Sequence, residues 1–114
     1  MHELSLLENV RDILEQHARA ERFTQVTQIT LEIGTLSCIE PQALRFGFDV
    51  VMNGSLAEHA ELVITELMGL GVCQNCREQV EMAHLYDPCS QCGHPLVTVT
   101  QGTEMKIKNL WVAG

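Results

Sequence analysis

Residues 72–94 read "VCQNCREQVEMAHLYDPCSQCGH", and this stretch divides the chain. Cys73 and Cys76 form one C-x-x-C pair, Cys89 and Cys92 a second, and twelve residues separate them. Two intervening residues let both sulfurs of a tight turn converge on one ion. Two such turns facing each other complete a tetrahedron with metal–sulfur distances of about 2.3 Å. The spacer is shorter than the roughly 15–20 residues of the commonest zinc pattern, but long enough for a hairpin. So short a segment, with almost no apolar core, needs a metal to supply its folding free energy. Four thiolates leave no open coordination position, which is the arrangement of a structural zinc and not of a catalytic one. Iron held by the same four residues, making a one-electron carrier, and a redox C-x-x-C pair are the competing readings. The second is disfavoured because neither pair follows a strand and opens a helix. His84 and His94 lie in the same stretch as candidate supporting groups. Cys38, the fifth cysteine, reads as a small buried residue in the turn before Pro41.

Outward from this stretch the periodicity changes. Toward the N-terminus, Ser5-Leu6-Leu7-Glu8 has the form of a capping box. Leu7, Val10, Leu14 and Ala18 then recur at three- and four-residue steps, predicting a helix to about Ala20 with His17 at the edge of the core. From Gln25 to Gly34 the alternation of Ile29, Leu31 and Ile33 with Thr30 and Glu32 predicts a half-buried strand. Glu40-Pro41 opens a second helix, with Leu44, Phe48 and Val51 inward and Asn53-Gly54 as its stop. Glu61–Glu66 and Met105–Val112 read as further strands, Lys106 and Lys108 facing water. The last strand has no apolar partner near it in sequence, so it must pair with the earlier ones. The expected fold is therefore α+β: two helices packed on a small antiparallel sheet, with an inserted four-cysteine zinc-ribbon subdomain. Residues 1–70 plus 101–114 form the first domain and residues 71–100 the zinc-binding subdomain. Glycines at Gly69, Gly71 and Gly102 suggest hinges where the two meet.

The 114 residues carry seven Lys plus Arg against fifteen Asp plus Glu, a formal charge of -8 that repels phosphate backbones. Nucleic acid is thus a poor partner. No apolar run approaches the roughly 18 residues of a membrane span, and the start lacks a signal peptide's basic and apolar regions, so no membrane and a cytoplasmic location are expected. An odd number of cysteines in a reducing compartment argues for metal over disulfides. No nucleophile–base grouping or phosphate loop appears, and the chain reads as a non-enzyme.

The opening residues, "MHELSL", place His2 one step from the terminal amine. Amine, backbone amides and imidazole together make a nitrogen-rich chelate of the kind that favours Ni(II) or Cu(II). With "LEIGTLSCIEPQALRFGFD", the two C-x-x-C pairs and "EMKIKNLWV", this start resembles the hydrogenase maturation nickel metallochaperone family (HypA/HybF) along the whole chain. The resemblance implies a carrier with an N-terminal nickel site and a separate structural zinc. Ni(II), bound by His2 with Glu3 as its close accessory, is the transient cargo; Zn(II) is held by Cys73, Cys76, Cys89 and Cys92. It further implies two partners, a nickel-exchanging maturation GTPase and the precursor of the [NiFe]-hydrogenase large subunit. The alternative is a zinc-ribbon adaptor that binds nucleic acid or a transcription complex, which predicts no nickel at His2 and strongly salt-dependent binding.

Overall fold

A computed structural model describes residues 3–114. His2 lies outside the described residues. In chain order the elements are α1 (Glu3–Glu21), β1 (Gln25–Gly34), α2 (Pro41–Met52), β2 (Glu61–Leu67), β3 (Gly69–Cys73), β4 (Gln79–Met82), β5 (Val97–Gln101) and β6 (Met105–Ala113). They form two three-stranded sheets, β2-β1-β6 and β4-β3-β5. The expected α+β architecture, two helices with small antiparallel sheets and a four-cysteine segment, is present. The chain divides into two compact units, one comprising residues up to Leu31, Ile39–Ile64 and Ile107–Gly114, the other Glu32–Cys38 and Thr65–Lys106.

The first unit is built on hydrocarbon. Leu7, Val10 and Leu14 are the buried stripe of α1, Val26, Ile29 and Leu31 come from β1, and Leu44, Phe48 and Met52 from α2. Gly47 lets the two helices approach, since a Cβ there would sit 2.9 Å from Leu7 Cδ1 and 3.1 Å from Leu4 Cδ2. Arg11 Nη1 donates to the Val51 carbonyl across the same seam at 2.8 Å. The second helix starts as its sequence predicts: Glu40 is the N-cap, its carboxylate accepting from Gln42 N at 3.1 Å, and Pro41 occupies the first turn. The first does not. Ser5 already lies inside α1 instead of capping it, and Glu3 is the acidic residue of the first turn. His17 is exposed, not at the core edge. Periodicity gives a residue's angle on a helix, but not how far along it the neighbouring surface extends. Beyond α2, Val26 N donates to Leu56 O at 2.9 Å, and Gln28 Nε2 to Glu61 Oε1 at 2.6 Å. Thr24 N donates to Ala113 O and Thr27 Oγ1 to Trp111 O, so β6 runs antiparallel to β1.

The second unit has β3 at its centre, antiparallel to β4 through pairs such as Gly71↔Val80 and to β5 through pairs such as Val72↔Thr98. Neither Gly69 nor Gly71 is a hinge. Both are buried in a strand paired on both sides. A Cβ at Gly69 would run into Leu36, and one at Gly71 would lie 2.5 Å from Val97 Cγ1 and 2.8 Å from Met82 Sδ. These glycines serve close packing. Residues 34–36 bind both strands that lead to the cysteines: Thr35 Oγ1 accepts from Gly69 N at 2.8 Å, and Leu36 N donates to Gly102 O at 2.8 Å. Cys38 follows, exposed and with φ +62°, where a buried residue was expected.

Candidate metal centre

The two C-x-x-C pairs fold into matching turns, related by a shift of sixteen residues. In the first, Asn75 N and Cys76 N donate to Cys73 Sγ at 3.3 and 3.4 Å; in the second, Gln91 N and Cys92 N donate to Cys89 Sγ at 3.3 and 3.4 Å. Arg77 N closes the first turn on Cys73 O, and Gly93 N closes the second on Cys89 O. The residue after each pair turns left-handed, Arg77 at φ +65° and Gly93 at φ +80°. Cys73 N then donates to Glu78 O, and Cys89 N to His94 O. Amides aimed at sulfur stabilise negative charge there, so the turns are prepared for thiolates.

The four sulfurs meet. Cys73 Sγ lies 3.6 Å from Cys92 Sγ, Cys76 Sγ lies 3.7 Å from Cys89 Sγ, and all four fall within 4.8 Å of one another. A tetrahedral zinc with bonds of about 2.3 Å puts its sulfurs about 3.8 Å apart. Both the donor set and its spacing therefore fit zinc. Cys73 and Cys89 are buried, Cys76 half-buried and Cys92 exposed. Asn75 Nδ2 also points at Cys92 Sγ, at 3.7 Å. Sequence reasoning overlooked this residue, and its position between two cysteines was the only signal.

The thiols are unequal as acids. A backbone hydrogen bond from His94, helped by the Asn75 side chain, brings Cys92 down to about 6 from the ordinary 9.0. Cys89 is also lowered, first by the backbone amide of Cys92. At Cys76 the Glu78 amide pulls downward, but burial and the three neighbouring sulfurs outweigh it and leave the thiol raised to about 12. Thiolates packed this closely repel, so the last proton leaves only when a cation enters.

The histidines stand apart from the sulfurs. His94 Nδ1 accepts from Leu96 N at 3.1 Å. His84 is exposed, its Nδ1 3.9 Å from Asp87 Oδ2, which in turn accepts from the amides of Ala83 and His84. Among the described residues, the cysteines are the group that could hold a metal. Glu3 opens α1 half-buried.

A family model described as hydrogenase/urease nickel incorporation, metallochaperone, hypA matches residues 1–112. The chain belongs to the HypA family. A hydrogenase maturation factor HypA from Psychromonas ingrahamii is 51% identical over 112 residues, covering 98% of each chain. One from Xanthobacter autotrophicus is 46% identical, covering 98% of this chain and 99% of its own. The fold matches the solution structure of the Ni metallochaperone HypA from Helicobacter pylori with a TM-score of 0.73 at 25% identity, over 99% of this chain and 98% of that one. HypA proteins are maturation factors and metallochaperones, so this chain is a member of a carrier family and not an enzyme. No described helix is long and apolar enough to cross a membrane.

Proposed function

We propose that this HypA-family protein binds Ni(II) at its N-terminus through His2, with Glu3 as accessory, and delivers it during maturation of [NiFe]-hydrogenase. Zn(II) on Cys73, Cys76, Cys89 and Cys92 is its resident structural metal. The observation that carries this reading is the closed four-sulfur cluster. Its spacing leaves no coordination position for cargo to enter and leave, so a carrier of this family needs a second, more accessible site. The terminal amine and the His2 imidazole supply the nitrogen donors that Ni(II) favours. On this reading residues 1–70 plus 101–114 bear nickel and residues 71–100 bear zinc. The partners are a nickel-exchanging maturation GTPase and the precursor of the hydrogenase large subunit, met in the cytoplasm.

Nickel titration of the zinc-loaded protein tests the proposal. His2→Ala is expected to abolish tight nickel binding while zinc content stays at one per chain. One extra residue before Met1 moves the amine out of the chelate and is expected to have nearly the same effect. Protons compete for the amine, with a pKa near 8, and for the imidazole, near 6.5, so affinity falls as pH drops from about 7.5 to 6. Nickel affinity unchanged in both variants would place the cargo elsewhere.

A further inference from the structure

Nothing in the metal chemistry accounts for an exposed apolar surface on the helical unit. Phe46 is 75% exposed, Val50 55% and Leu4 49%. Phe46 and Val50 stand one turn apart on α2, on the same face. Leu4 comes in from α1 over Gly47, where the missing side chain leaves room for its Cδ2, and shares a groove with Val50. Beside them runs a groove of about 490 Å³ lined by Leu4, Glu8, Arg11, Asp12, Val50 and Val51. Exposed hydrocarbon gathered on one helix face beside a groove is costly in water and suits a surface that meets a partner.

The rim says what kind of partner fits. Glu8 and Asp12 flank the groove on successive turns of α1, both exposed. The cation between them, Arg11, is already engaged, with Nη1 on the Val51 carbonyl at 2.8 Å and Nε 3.8 Å from Glu15 Oε2. The groove therefore presents an apolar floor and a net acidic edge, on a chain whose formal charge is already -8. A second copy is a poor occupant, because it brings the same acidic edge and the same formal charge of -8 to this surface and no complementary basic one.

We propose that the Leu4–Phe46–Val50 surface is a docking site for a basic amphipathic segment of a partner protein, whose apolar side chains seat against Phe46 and Val50 while Lys or Arg meets Glu8 and Asp12. The inference extends the carrier reading: Leu4 directly follows Glu3, so a partner held there would be recruited beside the proposed nickel ligands. Apolar anchoring sets the lifetime of the complex, and the acidic rim sets its encounter rate and orientation.

The test uses the full-length, zinc-loaded protein, isotope-labelled, and two synthetic 14-residue helical peptides with leucines at i and i+4. One peptide carries arginines on its flanks and the other glutamates. Saturable shifts at Leu4, Phe46, Val50 and Val51 with the arginine peptide alone, weakening as salt rises, are the expected result. Phe46→Ser, at a position too exposed to matter for folding, is expected to weaken that binding at least tenfold. Glu8→Lys with Asp12→Lys is expected to reverse the preference between the peptides. Absence of saturable shifts, shifts insensitive to Phe46→Ser, or the same shifts appearing on concentration of the free protein as it dimerises would each overturn the proposal. Nickel titration of the same samples reads the terminal site separately, so failure of the docking surface and failure of the carrier reading are distinguishable.

Discussion

In the helical unit the largest buried side chains are Phe48, Leu7, Leu14, Ile29, Leu31 and Leu44, all hydrocarbon. In the hairpin that carries the cysteines, the apolar cluster is Cys73, Val80 and Cys89, with Cys76 and Val97 against it. One region is closed by removing carbon from water. The other is centred on the atoms that bind metal. Each buried Leu or Phe is worth roughly 1.5–3 kcal/mol, so the first set supports a fold by itself. The second unit also buries Ile33, Leu36 and Met82, but the cluster around the cysteines themselves is small side chains, and there the ion must supply the difference.

The comparison breaks most sharply at Cys73. Cys73→Ala removes one of the two most buried sulfurs and forfeits most of the zinc contribution, about 10–16 kcal/mol in small zinc domains. The expected outcome is loss of zinc and of dispersed NMR signals from residues 71–100, while the helical signal of α1 and α2 persists in circular dichroism. Collapse of both helices would show that the hydrocarbon core is not self-sufficient. Acid is a milder form of the same experiment. With Cys76 raised to about 12, its thiol is protonated at neutral pH and must lose that proton to bind. Cys92, at about 6, is already a thiolate there. Zinc affinity is therefore expected to rise with pH above about 6, by about tenfold per unit for each proton released, and to fall further below it.

The converse substitution is Phe48→Ala. It empties the centre of the first unit and is expected to cost about 3–5 kcal/mol. Thermal unfolding followed by helical signal reports the loss, whereas zinc content at low temperature is expected to stay at one per chain. If zinc were lost in step with the helices, the two regions would be one cooperative unit and not two.

What the sequence disclosed follows the same division. Where hydrocarbon decides, period is a direct signal: the repeat of Leu7, Val10 and Leu14 gave α1, and Glu40-Pro41 with Asn53-Gly54 bounded α2. β1 has its expected bounds but is not half-buried, since Thr30 and Glu32 are buried beside Ile29, Leu31 and Ile33. The four cysteines announced their own convergence, because a C-x-x-C turn needs no distant partner to form. Strands β3, β4 and β5 were not legible. They are short and glycine- or polar-rich, and are fixed by pairing with one another around the cysteines. Gly69 and Gly71 misled for a related reason: an absent side chain signals either freedom or close packing, and only their neighbours, Leu36, Val97 and Met82, decide. Cys38 and His17 failed because burial depends on what arrives from elsewhere in the chain.

The finest distinction lies inside the metal centre, between its two turns. They share every backbone hydrogen bond around sulfur but differ after the second cysteine, where Arg77 and Gly93 adopt the same left-handed conformation. Glycine takes that conformation freely, whereas a residue with a Cβ pays roughly 1–2 kcal/mol for it. Nothing lies within 4 Å of a Cβ built on Gly93, so Gly93→Ala isolates the backbone term from any clash. It is expected to cost about 1 kcal/mol, read as about fivefold easier removal of zinc by a competing chelator. Arg77→Gly relieves the strain but gives the unfolded chain more freedom, and the two nearly cancel, leaving a change within about 0.5 kcal/mol. Equal responses in the two turns would mean that the metal, not the backbone, dictates the left-handed step. The expected asymmetry would mean that the second turn is already shaped before zinc arrives, and that the first reaches its shape under strain.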